Sequence, residues 1–119
     1  MTQPRAQFYS ARLTYRAMGP DDATALHAIV SQWEVVRQLG SWPWPADSDF
    51  TLSRAIPYGG DGFVWGIFLN DVMIGNIAIT TGELGYFIDP AHQRRGYARE
   101  ALAFAIGHSK LPQIGRAHV

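Results

Sequence analysis

Cysteine is absent from the 119-residue sequence. Disulfides, thiolate nucleophiles and cysteine metal ligands are therefore excluded. A surplus of either charge is missing too, because ten Lys and Arg balance ten Asp and Glu. That argues against a nucleic-acid partner, which a basic excess would announce. Long apolar runs are lacking. The longest, near residues 63–69 and 101–106, fall far short of the ~20 residues a helix needs to span a bilayer, so no membrane partner is expected. Residues 1–10 contain no apolar signal segment, which points to a cytoplasmic protein. Lysine is almost missing, with Lys110 standing alone among the ten basic residues. That bias hints at a GC-rich genome and carries no function. No paired His or carboxylate spacing marks a metal site, so none is expected. Neither G-x-G-x-x-G nor G-x-x-x-x-G-K-[ST] occurs, which sharply lowers the reading as a general nucleotide-binding domain.

What is present fits one globular domain with a modest core: 47% hydrophobic and 17% charged residues. Residues 1–10 read as a loose leader. Residues 11–17 alternate apolar and polar, as a half-buried strand does. Gly19-Pro20-Asp21-Asp22 reads as a helix start, and Ala25, Leu26, Ile29 and Val30 follow at core-facing spacing. Ser31 is a candidate cap for a short helix that Gly40 ends. Trp42-Pro43-Trp44-Pro45 excludes regular structure. Asp47 or Ser48 can cap another helical stretch to about Ile56. Residues 57–62 form a loop. Residues 63–69, 72–80 and 83–88 read as strands joined by turns at Asn70-Asp71 and Thr81-Gly82. In the last helix Ala98, Ala101, Leu102, Ala105 and Ile106 share a stripe. The order β-α-α-β-β-β-α predicts an α+β fold with a mainly antiparallel sheet flanked by helices.

The stretch from Asp89 to Leu102 carries the chemistry. A strand, a basic loop containing Gly96 and a helix start together make a phosphate site. Amides at a helix N-terminus point at an anion, and the helix dipole favours it. Arg94 and Arg95 add charge and fork-shaped donors. Gly96 lets backbone approach closely.

Gln93-Arg94-Arg95-Gly96-Tyr97-Ala98 resembles the Q/R-x-x-G-x-G/A loop of the GNAT acetyltransferases. The longer Gly96-Tyr97-Ala98-Arg99-Glu100-Ala101 and the strand Glu83–Ile88 are similar to the ribosomal-protein N-acetyltransferase branch. The resemblance covers about residues 12–110. It implies a mixed, mainly antiparallel sheet and a direct acetyl transfer from acetyl-CoA to a primary amine, either a protein N-terminus or a small molecule. It also implies that Gln93, Arg94, Arg95, Gly96, Tyr97 and Ala98 hold the pyrophosphate. The backbone of Tyr86, Phe87 and Ile88 would pair with the pantetheine arm, one amide polarising the thioester carbonyl. Glu83 is the candidate general base or a solvated turn residue. Trp42 and Trp44 either line the acceptor pocket or cover the core. His92 could reach a phosphate but reads better as a surface residue, His27 as structural, and Glu100 as a loop brace. The alternative function is a non-catalytic acyl-CoA-binding module or an inactive fragment.

By the same resemblance the fold is incomplete at its C-terminus. Residues 1–113 are expected to be the N-terminal and central part of one acetyltransferase domain. Residues 114–119 are expected to be a non-native tail, because Ile114-Gly115-Arg116-Ala117-His118-Val119, read back into codons, matches one frame of a widely used short-read sequencing adapter. Such a chain would leave residues 83–88 as an edge strand and be poorly soluble or loosely packed.

Overall fold

A computed structural model describes residues 6–109. The expectation for residues 114–119 lies outside them. Five strands, β1 (Gln7–Tyr9), β2 (Thr14–Arg16), β3 (Gly62–Leu69), β4 (Val72–Thr80) and β5 (Glu83–Ile88), form one sheet in sequential order. Every pairing in it is antiparallel. Four helices flank it: α1 (Ala23–Val30), α2 (Trp33–Val36), α3 (Ser48–Arg54) and α4 (Tyr97–Ser109). No helix among the described residues is long and apolar enough to cross a membrane.

The leader is not wholly loose. Gln7–Tyr9 pairs with Thr14–Arg16, and the turn between them closes with Ser10 N–H donating to the Leu13 carbonyl at 3.0 Å. Strand β2 is shorter than the alternation of residues 11–17 implied. Asp22, rather than a first-turn cap on α1 proper, anchors the helix start. It accepts the Gly19 N–H and a two-pronged contact from Arg16 at 2.8 and 3.0 Å. Arg16 itself lies over Phe68, 4.1 Å from the ring centroid. Ser31 does not cap α2; its hydroxyl donates back to the His27 carbonyl, and Gln32 takes the capping position. Asp47 does cap α3, accepting from Asp49 and Phe50 amides. His27 is structural as expected, its Nδ1 2.8 Å from the buried Thr51 hydroxyl.

Period-two alternation splits the strands between two cores. Trp65, Ile67, Ile77, Ile79 and Ile88 pack with Leu13, Tyr15, Ala101 and Ala105 under α4. Phe68, Met73 and Phe87 pack on the other face with Leu26, Ile29, Val30, Val35 and Val36. Ala25, expected in the core, is exposed. Each fully buried isoleucine contributes about 1.5–3 kcal/mol relative to exposure. The sheet is thus a layer between α4 and the helices α1–α3. Its C-terminal strand β5 is an edge among the described residues, close to where α4 begins.

Candidate active site

Strand β5 delivers the chain to its turn at Asp89. Asp89 donates its N–H to the Ile74 carbonyl at 2.7 Å and accepts the Ala91 amide and the Gln32 side chain on Oδ1. Gln93 then ties the loop back to the strand, its Nε2 donating to the Ile88 carbonyl at 3.0 Å. Arg94 and Gly96 both take left-handed backbone, at φ +65° and +81°. For Arg94 that is a strained choice, held by the loop around it. For Gly96 it is free of strain, and an added Cβ would also come 3.2 Å from the Arg12 guanidinium. Helix α4 starts at the next residue. The amides at its start have no intrahelical acceptor.

Two cavities open along β5. The first, about 620 Å³, is walled by the loop and helix start (His92, Gln93, Arg94, Gly96, Ala98 and Arg99), by β5 (Tyr86, Phe87 and Ile88), and by Val35, Gln38 and Leu39. No carboxylate lines it among the described residues, and Arg94 and Arg99 do. The second, about 490 Å³, lies on the α3 face of the sheet and includes Trp42, Arg54, Tyr58, Asn76 and Thr80. Leu39, Tyr86 and Phe87 belong to both. The two cavities therefore meet at the middle of β5.

The structure thus brings together Tyr86, Phe87, Ile88, Gln93, Arg94, Gly96 and Ala98. Arg95 and Tyr97 are instead tied to Arg12. The Arg95 carbonyl accepts from Arg12 at 2.9 Å, and the Tyr97 ring lies 4.6 Å from the same guanidinium. Neither residue is in the lining of the two cavities, and Arg95 is exposed. Trp42 lines the second cavity, where it meets Phe50 and Phe87 edge-on. Trp44 does not; its ring meets Trp33 at a tilt of 54°, 5.4 Å between centroids, and is about half exposed. Glu83 is exposed at the hairpin end of β5, in neither cavity. His92 lines the first cavity with its Nδ1 buried and without a hydrogen-bond partner, rather than standing on the surface. Sequence reasoning missed Arg99 and the α2 side. Val35, Gln38 and Leu39 stand at helical i, i+3, i+4 spacing, but nothing local says that this face meets β5.

The sequence profile of the GNAT acetyltransferase domain matches residues 12–119. The chain belongs to the GNAT acetyltransferase family. Acetyl-CoA is that family's co-substrate. No curated protein sequence gives a significant match. Among solved structures, RimL, a ribosomal L7/L12 alpha-N-protein acetyltransferase in complex with coenzyme A, superposes with a TM-score of 0.69 at 20% identity, over 87% of this chain and 67% of that one. A putative ribosomal-protein-serine acetyltransferase from Vibrio cholerae gives 0.63 at 23% identity, over 90% and 70%. The microcin C7 self-immunity acetyltransferase MccE, in complex with acetyl-CoA and AMP, gives 0.66 at 13% identity, over 88% and 66%. The chain spans about two thirds of the length of these structures. In this GNAT domain the loop, the edge strand β5 and the first cavity lie together at one edge of the sheet. Among its described residues no group of three or more His, Asp or Glu sits together.

Proposed function

We propose that this chain's parent enzyme transfers the acetyl group of acetyl-CoA directly to a primary amine, in the cytoplasm. The observation that carries the reading is the meeting of two cavities at Tyr86 and Phe87. The first suits the co-substrate: Arg94, Arg99 and the α4 N-terminus suit its pyrophosphate, and the outer edge of β5 suits its extended arm. The second suits the acceptor, with Trp42 in its wall. In transfer, the amine nitrogen forms a bond to the thioester carbon, the carbon–sulfur bond breaks, and the sulfur takes up a proton. A fixed β5 amide would stabilise the charge that develops on the carbonyl oxygen. The amine proton leaves to solvent water, with Glu83, paired in register with the cavity-lining Thr80, as the candidate base beyond it. The acceptor is a protein N-terminus, as the name of RimL describes for that protein, or a small-molecule amine.

Calorimetry and thermal melts with acetyl-CoA test this. A ligand at about 100 times its Kd adds about 2.7 kcal/mol to the stability of the folded state. The melting temperature should therefore rise by several degrees, and Arg94→Gln with Arg99→Gln should weaken binding by about tenfold or more. No shift at saturating acetyl-CoA would overturn the reading. A shift without acetylation of any amine would leave only an acyl-CoA-binding module.

A further inference from the structure

The acceptor cavity holds one fixed formal charge, and it is positive. Arg54 ends α3 and lines the cavity, while no carboxylate, lysine or histidine does so among the described residues. The rest of its polar wall is neutral, and includes Ser41, Ser53, Tyr58, Asn76, Thr80 and Tyr86. The guanidinium is anchored on the Phe50 ring, 4.8 Å from its centroid. Phe50 meets Trp42 edge-on at 5.0 Å, and Trp42 meets Phe87 edge-on at 6.3 Å. A chain of three rings thus runs from Arg54 to a residue shared by both cavities. A cation in the last turn of a helix is also favoured by the helix dipole. Arg54 is exposed, so water satisfies its charge, and no carboxylate in the cavity lining competes with a ligand for it.

We propose that Arg54 determines acceptor specificity by selecting amines accompanied by a carboxylate, a proposal that rests on the second cavity being the acceptor site. A guanidinium presents a planar fork that matches a carboxylate. Its charge also lowers the pKa of an amine held nearby, favouring the neutral, nucleophilic form. Acceptors that carry only further positive charge are repelled by it. The carboxylate belongs either to a free amino acid or to an acidic residue just after a peptide's N-terminus.

Matched pairs separate these sources: L-alanine against L-alaninamide, and tetrapeptides opening Ala-Glu against Ala-Gln. Binding is measured by calorimetry on the full chain with coenzyme A present, so no turnover is needed. The carboxylate member of at least one pair should bind about tenfold tighter, as one charge-assisted hydrogen-bonded contact allows. Arg54→Gln should reduce that ratio to about twofold or less, Arg54→Lys should restore part of it, and Arg54→Glu should invert it. Preference in the first pair alone identifies a free amino acid, and in the second alone an acidic peptide. Equal binding within both pairs, or a ratio that survives Arg54→Gln, overturns the proposal. Coenzyme A binding in the same titrations separates the two failures. Intact binding without charge preference removes Arg54 alone, and absent binding removes the reading of the cleft.

Discussion

Glu100 accepts hydrogen bonds from the Ser10 hydroxyl, the Arg12 amide and the Arg12 Nε, the last at 2.7 Å. Since the Ser10 proton goes to Glu100, the Tyr15 hydroxyl donates in turn to Ser10 at 2.7 Å. The β1–β2 turn is thereby fastened to the first turn of α4, and through Arg12 to the Arg95 carbonyl behind the loop. Burial pushes the Glu100 carboxyl upward, but the bonds from Ser10 and Arg12 outweigh it and hold it below the usual carboxylate range. A carboxyl depressed in the folded state stabilises fully above its unfolded value of about 4.3 and loses that contribution as pH falls through the folded value. Glu100→Gln should therefore cost about 1–3 kcal/mol near neutrality. Arg12 is half exposed, so solvent screens its part of this. Urea unfolding of both proteins at about pH 7 and about pH 3 checks the sign. The gap should narrow in acid, and a constant gap would show that the carboxylate charge is not what holds the turn.

The elements differ in how openly the sequence declares them. Strands β3 and β4 end where Asn70-Asp71 and Thr81-Gly82 turn the chain, and all four turn residues have positive φ. These are the left-handed pairs of tight hairpin turns, so local chemistry is enough to set the ends. Strand β1 declared nothing. It has three residues, too few for a period, and its turn through Ser10–Leu13 contains neither Gly nor Pro. The loop Gln93–Ala98 was legible as a basic connection from strand to helix, but its tie to the start of the chain was not. Arg12, 83 positions earlier than Arg95, holds that residue's carbonyl and lies over the Tyr97 ring, a contact no local pattern announces. The Thr81 turn also shows a local cost. A β-branched residue sits at φ +49°, a strained choice that Asn tolerates far better. Thr81→Asn should raise stability by about 0.5–1 kcal/mol, less whatever its hydroxyl bond to the Thr80 carbonyl contributes. The melting temperature would rise by roughly 2–6 °C. An unchanged or lower value would mean that the surrounding hairpin, not residue 81, dictates the turn.

At the scale of the molecule, the sheet places its firmest and loosest parts predictably. Strands β3 and β4 are paired on both sides and buried on both faces, while β5 is paired on one side and mostly exposed until Phe87 and Ile88. Opening free energies should follow that gradient, highest in β3 and β4 and lowest at β1 and the start of β5. The proposed cleft uses the less secure edge as one wall, and a ligand that pairs with backbone there supplies what the edge lacks. Hydrogen exchange with and without acetyl-CoA should accordingly show slower exchange concentrated in residues 84–99, a smaller gain in residues 35–39, and almost none in β1, which is the opposite edge. A uniform gain across the sheet would instead mean that binding stabilises the domain globally, without engaging β5. Protection confined to residues 93–99 would mean that the anion end of the co-substrate docks while its arm never lies along the strand. The pattern therefore separates a phosphate cradle from a cleft that carries the acetyl group to the place where both cavities meet.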